Sequence, residues 1–166
     1  MSSGPVEIRR VRAQDWPALR ALRLEALADT PIAYLETLAQ AQQLPDSEWR
    51  GRALRGAAAG DSFQVLAWHG DRAFGTCVAF LRDQAAWLAA VYLAPTHRGQ
   101  DLLAAMVGQC ADWARAAGAP VLRLEVHEDN HRAGAAYRRL GFVDSGQRTP
   151  YPLAPGGDEV LMERPL

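Results

Sequence analysis

The stretch VYLAPTHRGQDLL, residues 91–103, decides the reading of this chain. Its first half is an apolar run rich in strand-favouring side chains, and Pro95 ends it. From Leu102 the period becomes helical: Leu102, Leu103, Met106, Val107, Cys110 and Trp113 form one stripe, stopped at Gly118 and Pro120. A strand thus runs through a short turn into a long helix. The first N–H groups of such a helix lack intrahelical partners, and the helix dipole is positive there. That terminus is an anion site, and Arg98 beside it adds a charge-assisted donor.

Outward from this unit, the chain reads as alternating elements. Residues 6–11 suggest a short strand, and Asp15 can cap a helix carrying Trp16, Leu19, Leu22, Ala26 and Leu27 at helical spacing. Pro31 interrupts it; residues 32–43 read as helix or turn, and a further helix starts at Pro45 and runs towards Gly56. Strands follow at 63–69, 73–82 and 86–93, separated by Gly70-Asp71 and Asp83-Gln84 turns. Beyond the central helix come a strand at 121–126, a helix at 130–140, a strand at 142–148 and a last strand near 159–163. The expected fold is a single α/β domain over residues 1–166. Its mixed central sheet is antiparallel in the N-terminal part, parallel across the helical crossovers, and flanked by helices.

Composition bounds the partners. A chain of 166 residues with 49% hydrophobic and 22% charged residues can bury a core of ordinary size. Net charge is −1 and no basic tract occurs, which argues against nucleic acid as a partner. All 18 basic residues are arginine. Cys77 and Cys110 fit no metal or redox spacing, so a reduced intracellular compartment is expected. The opening residues carry no hydrophobic signal segment, and the apolar run at 85–94 is about half a membrane span. The expectation is a cytoplasmic protein with no membrane partner.

The second chemical block is LRLEVHEDNHRA, residues 122–133, followed by Tyr137 and by Leu140-Gly141-Phe142. With Pro95, Arg98 and Gly99 in the first block, and Asn130, Ala133, Tyr137, Gly141 and Phe142 in the second, the chain resembles the GNAT superfamily of acyl-CoA N-acyltransferases over about residues 6–165. Two positions depart from that pattern: Asp101 stands where the family usually has glycine, and Leu103 where it has glycine or alanine. A carboxylate near a pyrophosphate is repulsive, so Asp101 is expected to face solvent, as a helix-start residue favoured by the dipole, or to weaken cofactor binding.

The resemblance implies acetyl-CoA as co-substrate and no metal. Val91, Tyr92 and Leu93 would line its pantetheine arm; Arg98 and the backbone of Gly99, Gln100, Asp101, Leu102, Leu103 and Ala104 would hold its pyrophosphate. Asn130 and Tyr137 would complete the cofactor side. Tyr137 would also act as acid towards the departing thiolate, its ordinary pKa near 10 keeping it protonated. Glu125 is the expected base. On strand 121–126, Leu122, Leu124 and Val126 share one face while Arg123 and Glu125 share the other, as at a cleft border; a solvated charge paired with an arginine fits the same pattern.

Other signals carry less. His127-Glu128-Asp129-Asn130-His131 satisfies H-E-x-x-H, but zinc chemistry needs both histidines inside one helix, whereas Asp129-Asn130 suits a helix start. His97 reads as a solvated loop histidine, with contact to a CoA phosphate as the alternative. Glu25, Asp29 and Glu36 read as solvated helix charges, and Tyr34 and Trp49 as core. The acceptor expected is a primary amine, either a small molecule or a peptide N-terminus, acetylated by a monomer or homodimer. The rival reading is a non-catalytic acyl-CoA-binding or regulatory module, to which Asp101 and Leu103 would belong.

Overall fold

The computed structural model describes residues 4–166; residues 1–3 of the opening segment lie outside the described residues. Strand β1 (Val6–Arg10) leads to helices α1 (Trp16–Asp29), α2 (Leu38–Gln42) and α3 (Asp46–Ala57). A meander follows: β2 (Ser62–His69), β3 (Arg72–Arg82) and β4 (Ala85–Leu93). Then come α4 (Leu102–Ala116), β5 (Val121–His127), α5 (His131–Arg139), β6 (Val143–Pro150) and β7 (Asp158–Pro165). The seven strands form one sheet in the order β1-β2-β3-β4-β5-β7-β6.

The sheet is mixed, as the sequence implies. Its parallel ladder is confined to the crossover through α4, where β4 meets β5 at Ala86↔Leu122 and Trp87↔Arg123. At the second crossover β7 slots between β5 and β6 and pairs antiparallel with both, so β5 and β6 run the same way without touching. No local pattern announces that insertion, because it is a pairing between distant segments.

Helices cover both faces. On one, Phe63 stacks on Trp113 of α4 with ring centroids 5.7 Å apart, and Cys110 of α4 lies 3.8 Å from the carbonyl of Cys77. The apolar stripe read in the sequence is the buried side of α4: Met106, Val107, Cys110, Ala111 and Ala114. Gly75 is needed there, since a Cβ would sit 3.1 Å from Leu93 and 3.2 Å from Met106. On the other face α1 and α3 cover buried Gln64 and Thr76, which bond to each other at 2.9 Å.

One local expectation fails. Asp15 precedes α1 but does not cap it. Its carboxylate accepts from Arg9 at 2.7 and 3.1 Å and from the Arg12 amide at 2.7 Å, because a buried acid gains more from a guanidinium fork than from a helix end.

Candidate active site

The site begins with a defect in β4. Thr76 pairs with Tyr92 and Val78 with Ala89, so the bridging segment of β4 carries an extra residue opposite Cys77. Ala90 takes a left-handed φ of 49° there, the signature of a bulge. The bulge bends β4 away from β5, whose shared ladder has already ended at Trp87 and Arg123. Between the splayed strand ends lies a cleft of about 630 Å³.

One wall is β4 itself, with Val91, Tyr92 and Leu93. Tyr92 turns its phenol to the other face, where it donates to Glu25 at 3.0 Å; burial and that carboxylate push it upward. The Val91 carbonyl accepts from the Tyr34 hydroxyl at 3.0 Å. Burial lifts the Tyr34 phenol to about 12, so this donor is permanent at physiological pH.

The head of the cleft is the start of α4. Gly99 has φ 78° and open space around its missing Cβ. Asp101 is the N-cap residue with φ 58°, and its carbonyl accepts the Ala105 N–H at 3.1 Å. Here is a physical reason for glycine at position 101: the turn requires a left-handed residue, which costs aspartate on the order of 1 kcal/mol. The exposed Asp101 carboxylate makes no cap bond, so the helix-start placement holds while side-chain capping does not occur. Asp101, Leu102, Leu103 and Ala104 all border the cleft. The Gln100 side chain does not: it is exposed, with its amide 3.5 Å from the Thr96 carbonyl.

Arg98 borders the cleft but is not free. Its Nε donates to the Leu93 carbonyl at 2.8 Å and Nη2 to Asp29 at 2.7 Å. Burial raises the Asp29 carboxyl, but Arg98, Thr30 and Arg132 outweigh it and hold it below the usual range. The guanidinium therefore ties the end of β4 to the end of α1, a positioning role that motif spacing alone does not disclose. His97 is likewise committed, stacked on Phe74 at 3.8 Å instead of reaching the cleft as a loop residue.

The opposite wall comes from β5 and α5. Asn130 is buried and caps α5, its Oδ1 accepting from Ala133 N at 3.4 Å. Tyr137 is 8% exposed and borders the cleft; burial, then nearby Cys77 and Tyr34, push its phenol far above its ordinary value. Glu125 is exposed on the cleft side of β5, and Thr149 Oγ1 lies 3.5 Å from its Oε1. Arg123 pairs with Glu163, and among the described residues Glu125 has no arginine partner.

His127 ends β5 and His131 begins α5, so the H-E-x-x-H histidines never share a helix. Both His127 nitrogens are used: Nδ1 accepts from Asp129 N at 3.1 Å, which makes Nε2 the donor to the Gly156 carbonyl at 2.7 Å. Among the described residues no group of three or more His, Cys, Asp or Glu side chains is placed to hold a metal.

Tyr34 is core, as read, and its backbone also meets Tyr151, which sequence reasoning missed. Tyr151 donates to the Tyr34 carbonyl at 2.6 Å and packs edge-on to His127, lacing the β6–β7 hairpin to the loop after α1. The acidic trio of the first helices is ion-paired, not simply solvated: Glu36 bridges Arg23 and Arg52 at 2.9 Å each, and Asp29 holds Arg98. Trp49 is core, as read.

Comparison with known proteins finds the same fold. The family model described as the acetyltransferase (GNAT) family matches residues 19–142, and the chain belongs to that family. Similar folds include PaiA N-acetyltransferase from Thermoplasma acidophilum in complex with coenzyme A: TM-score 0.81, 18% identity, 98% of this chain and 99% of that one. YncA from Salmonella typhimurium, solved with acetyl-CoA, gives 0.76 at 18% identity over 98% and 95%. The ribosomal-protein-S18-alanine N-acetyltransferase of Escherichia coli gives 0.70 at 18% over 97% and 94%. Identities this low establish the shared fold alone. An uncharacterized Mycobacterium leprae protein is 39% identical over 70 residues, which are 42% of this chain and 19% of the relative's length. Among the described residues no helix is long and apolar enough to cross a membrane.

Proposed function

We propose that the chain is an N-acetyltransferase, a single domain over residues 1–166, that moves the acetyl group of acetyl-CoA to a primary amine by direct attack. The observation that carries this reading is the cleft opened by the Ala90 bulge, with the α4 N-terminus at its head and Tyr137 and Glu125 along it. A slot of about 630 Å³ suits an extended arm, the edge of β4 offers it backbone groups, and the left-handed turn aims α4 amides at a pyrophosphate. The coenzyme A and acetyl-CoA bound to two proteins of this fold support the same use of the cleft.

In this reading Glu125 takes a proton from the acceptor ammonium. The freed amine attacks the thioester carbonyl, a C–N bond forms, the C–S bond breaks, and the thiolate leaves. Tyr137 stands as the acid towards that sulfur; its burial keeps the phenol protonated across the working pH range. Val91, Tyr92, Leu93 and Asn130 position the thioester arm, and the backbone of Gly99 to Ala104 the pyrophosphate. Arg98 holds the wall between them.

Thermal unfolding with added acetyl-CoA tests the binding half. At a hundred times the dissociation constant the ligand stabilises by about 2.7 kcal/mol. Release of free thiol across a panel of primary amines tests transfer. No thermal shift at millimolar acetyl-CoA would overturn the reading, and a shift without thiol release would leave a binding module.

A further inference from the structure

His127 and Glu128, the first two residues of the H-E-x-x-H pattern, grip the loop between β6 and β7. His127 Nε2 donates to the Gly156 carbonyl at 2.7 Å, and Glu128 Oε1 accepts the Asp158 N–H at 2.8 Å. The approach is close enough to require glycine. At Gly157, with φ 87°, a Cβ would lie 2.8 Å from Glu128 Oε1 and 3.2 Å from His127 Nε2. Tyr151 packs edge-on to the same buried ring, with centroids 4.9 Å apart. On its other side the ring serves the turn into α5. Nδ1 accepts the Asp129 N–H at 3.1 Å, and the His127 carbonyl accepts the Asn130 N–H at 2.9 Å. Asn130 then caps α5, the helix whose Tyr137 borders the cleft.

We propose that His127 is a positioning residue for acetyl transfer, acting through the 127–130 turn on the placement of Tyr137. This rests on the acetyltransferase reading, in which the Tyr137 phenol faces the departing sulfur. The two ring nitrogens divide the work. A neutral imidazole has one donor and one acceptor, and the bond made by one nitrogen fixes the role of the other. A carbonyl can only accept and an amide N–H can only donate, so the proton sits on Nε2 and Nδ1 is left to accept. The Gly156 loop thereby selects the tautomer that the α5 turn needs. Without that acceptor the Asp129 N–H turns to solvent and the approach to Asn130 loosens. Tyr137 lies about two helical turns beyond the cap, so a tilt of the helix start is carried to its phenol. A misplacement of about 1 Å between reacting groups costs roughly 10²-fold in rate.

Two substitutions in the full chain separate the nitrogens. Asparagine sets its Oδ1 near the place of Nδ1, and glutamine sets its Nε2 near the place of the ring Nε2. His127→Asn therefore keeps the acceptor for Asp129 and loses the donor to Gly156, while His127→Gln does the reverse. Each gives up one bond of a buried ring, so the melting temperatures of the two should fall by similar amounts. Turnover should part them. With saturating acetyl-CoA and the fastest amine of the panel, His127→Gln should lower kcat by about tenfold or more, and His127→Asn by no more than a few-fold. Here kcat is taken per coenzyme A site counted by isothermal titration, so unfolded protein does not enter. A double-mutant cycle decides the route: added to Tyr137→Phe, His127→Gln should lower kcat no further. Multiplicative losses in that cycle, equal kcat in the two His127 variants, or a His127→Gln that no longer folds or binds coenzyme A overturns the proposal and leaves His127 a structural residue. Wild type that releases no thiol with any amine would overturn the acetyltransferase reading and this proposal with it, a result that needs neither variant.

Discussion

Two flanks of the sheet treat buried acids in opposite ways. At the β1 side Asp15 is 7% exposed and accepts three hydrogen bonds, two from the Arg9 fork; Glu36 lies between Arg23 and Arg52. At the β7 side Glu159 is equally buried and has no partner among the described residues, and Tyr137 is buried against the cleft. The consequences run in opposite directions. Burial raises Asp15, but Arg9 and the Arg12 amide more than reverse it and leave it lowered. Burial raises Glu159, and Glu125 adds to the rise. With 18 arginines in the chain, cations are not scarce. On the β7 flank Arg123 and Arg148 pair with Glu163 and Asp144, and Glu159 is left without a partner among the described residues.

The comparison predicts that substitutions on the cleft flank change rates and those on the β1 flank change stability. The largest effect is expected from Tyr137→Phe. Loss of a positioned proton donor lowers kcat by roughly 10²–10⁴-fold. Acetyl-CoA affinity and the melting temperature should stay near wild type, because the phenyl ring keeps its edge-on packing against Phe142 at 5.9 Å. Steady-state thiol release beside a thermal scan reads both; a stability loss with unchanged kcat would place Tyr137 on the structural side.

On the other flank, Asp15→Asn should cost about 2–3 kcal/mol in urea unfolding, towards the lower end for breaking a buried pair because Arg9 keeps some contact with water. Thiol release by the folded fraction should be unaffected. The pH dependence gives the sign. Asp15, lowered in the fold, contributes stability present above its unfolded value of about 3.9 and lost as pH falls through the lower folded value. In Asp15→Asn the acid-side loss of stability should therefore be shallower.

Glu159→Gln should behave inversely and less strongly. A carboxyl raised by the fold imposes no penalty below its unfolded value of about 4.3; the penalty grows as pH rises towards the folded value and is constant beyond it. Replacement by the neutral isostere should leave stability unchanged at pH 4 and equal to or above wild type, by up to about 1 kcal/mol, at pH 7. A destabilised Glu159→Gln at pH 7 would mean that the carboxylate has a partner in solution, and the contrast between the flanks would fail.

How far the sequence could reach follows from the range of each interaction. The α4 stripe, the turn after Pro95 and the Asn130 cap were legible because they are set by neighbours within a few residues. The Asp15 cap was misread because Arg9, across a turn, out-competes the helix end. The Ala90 bulge, the insertion of β7 beside β5, and the Tyr151–Tyr34 bond across 117 positions depend on pairings that local periodicity does not encode. Glu159 was invisible for the same reason. It reads as an ordinary strand residue until the register sets it across from His127.

The smallest effect is expected where the cofactor end of the cleft departs from the family pattern. At φ 58° Asp101 bears a left-handed backbone cost on the order of 1 kcal/mol, which glycine would remove. Glycine also gains freedom in the unfolded chain, worth about 0.5–1 kcal/mol in the opposite sense, so the net change in stability of Asp101→Gly should be close to zero. The charge is what remains. An exposed carboxylate at the α4 N-terminus is favoured by the dipole in the free protein, but opposes an incoming pyrophosphate by roughly 1 kcal/mol in water. Asp101→Gly should accordingly tighten acetyl-CoA binding by about two- to fivefold, with the gain shrinking as salt is raised. A salt-independent change would assign the effect to the turn's shape, and weaker binding would mean that the carboxylate organises the turn. In either case Asp101 would join Arg98 among the groups that position the wall of the cleft.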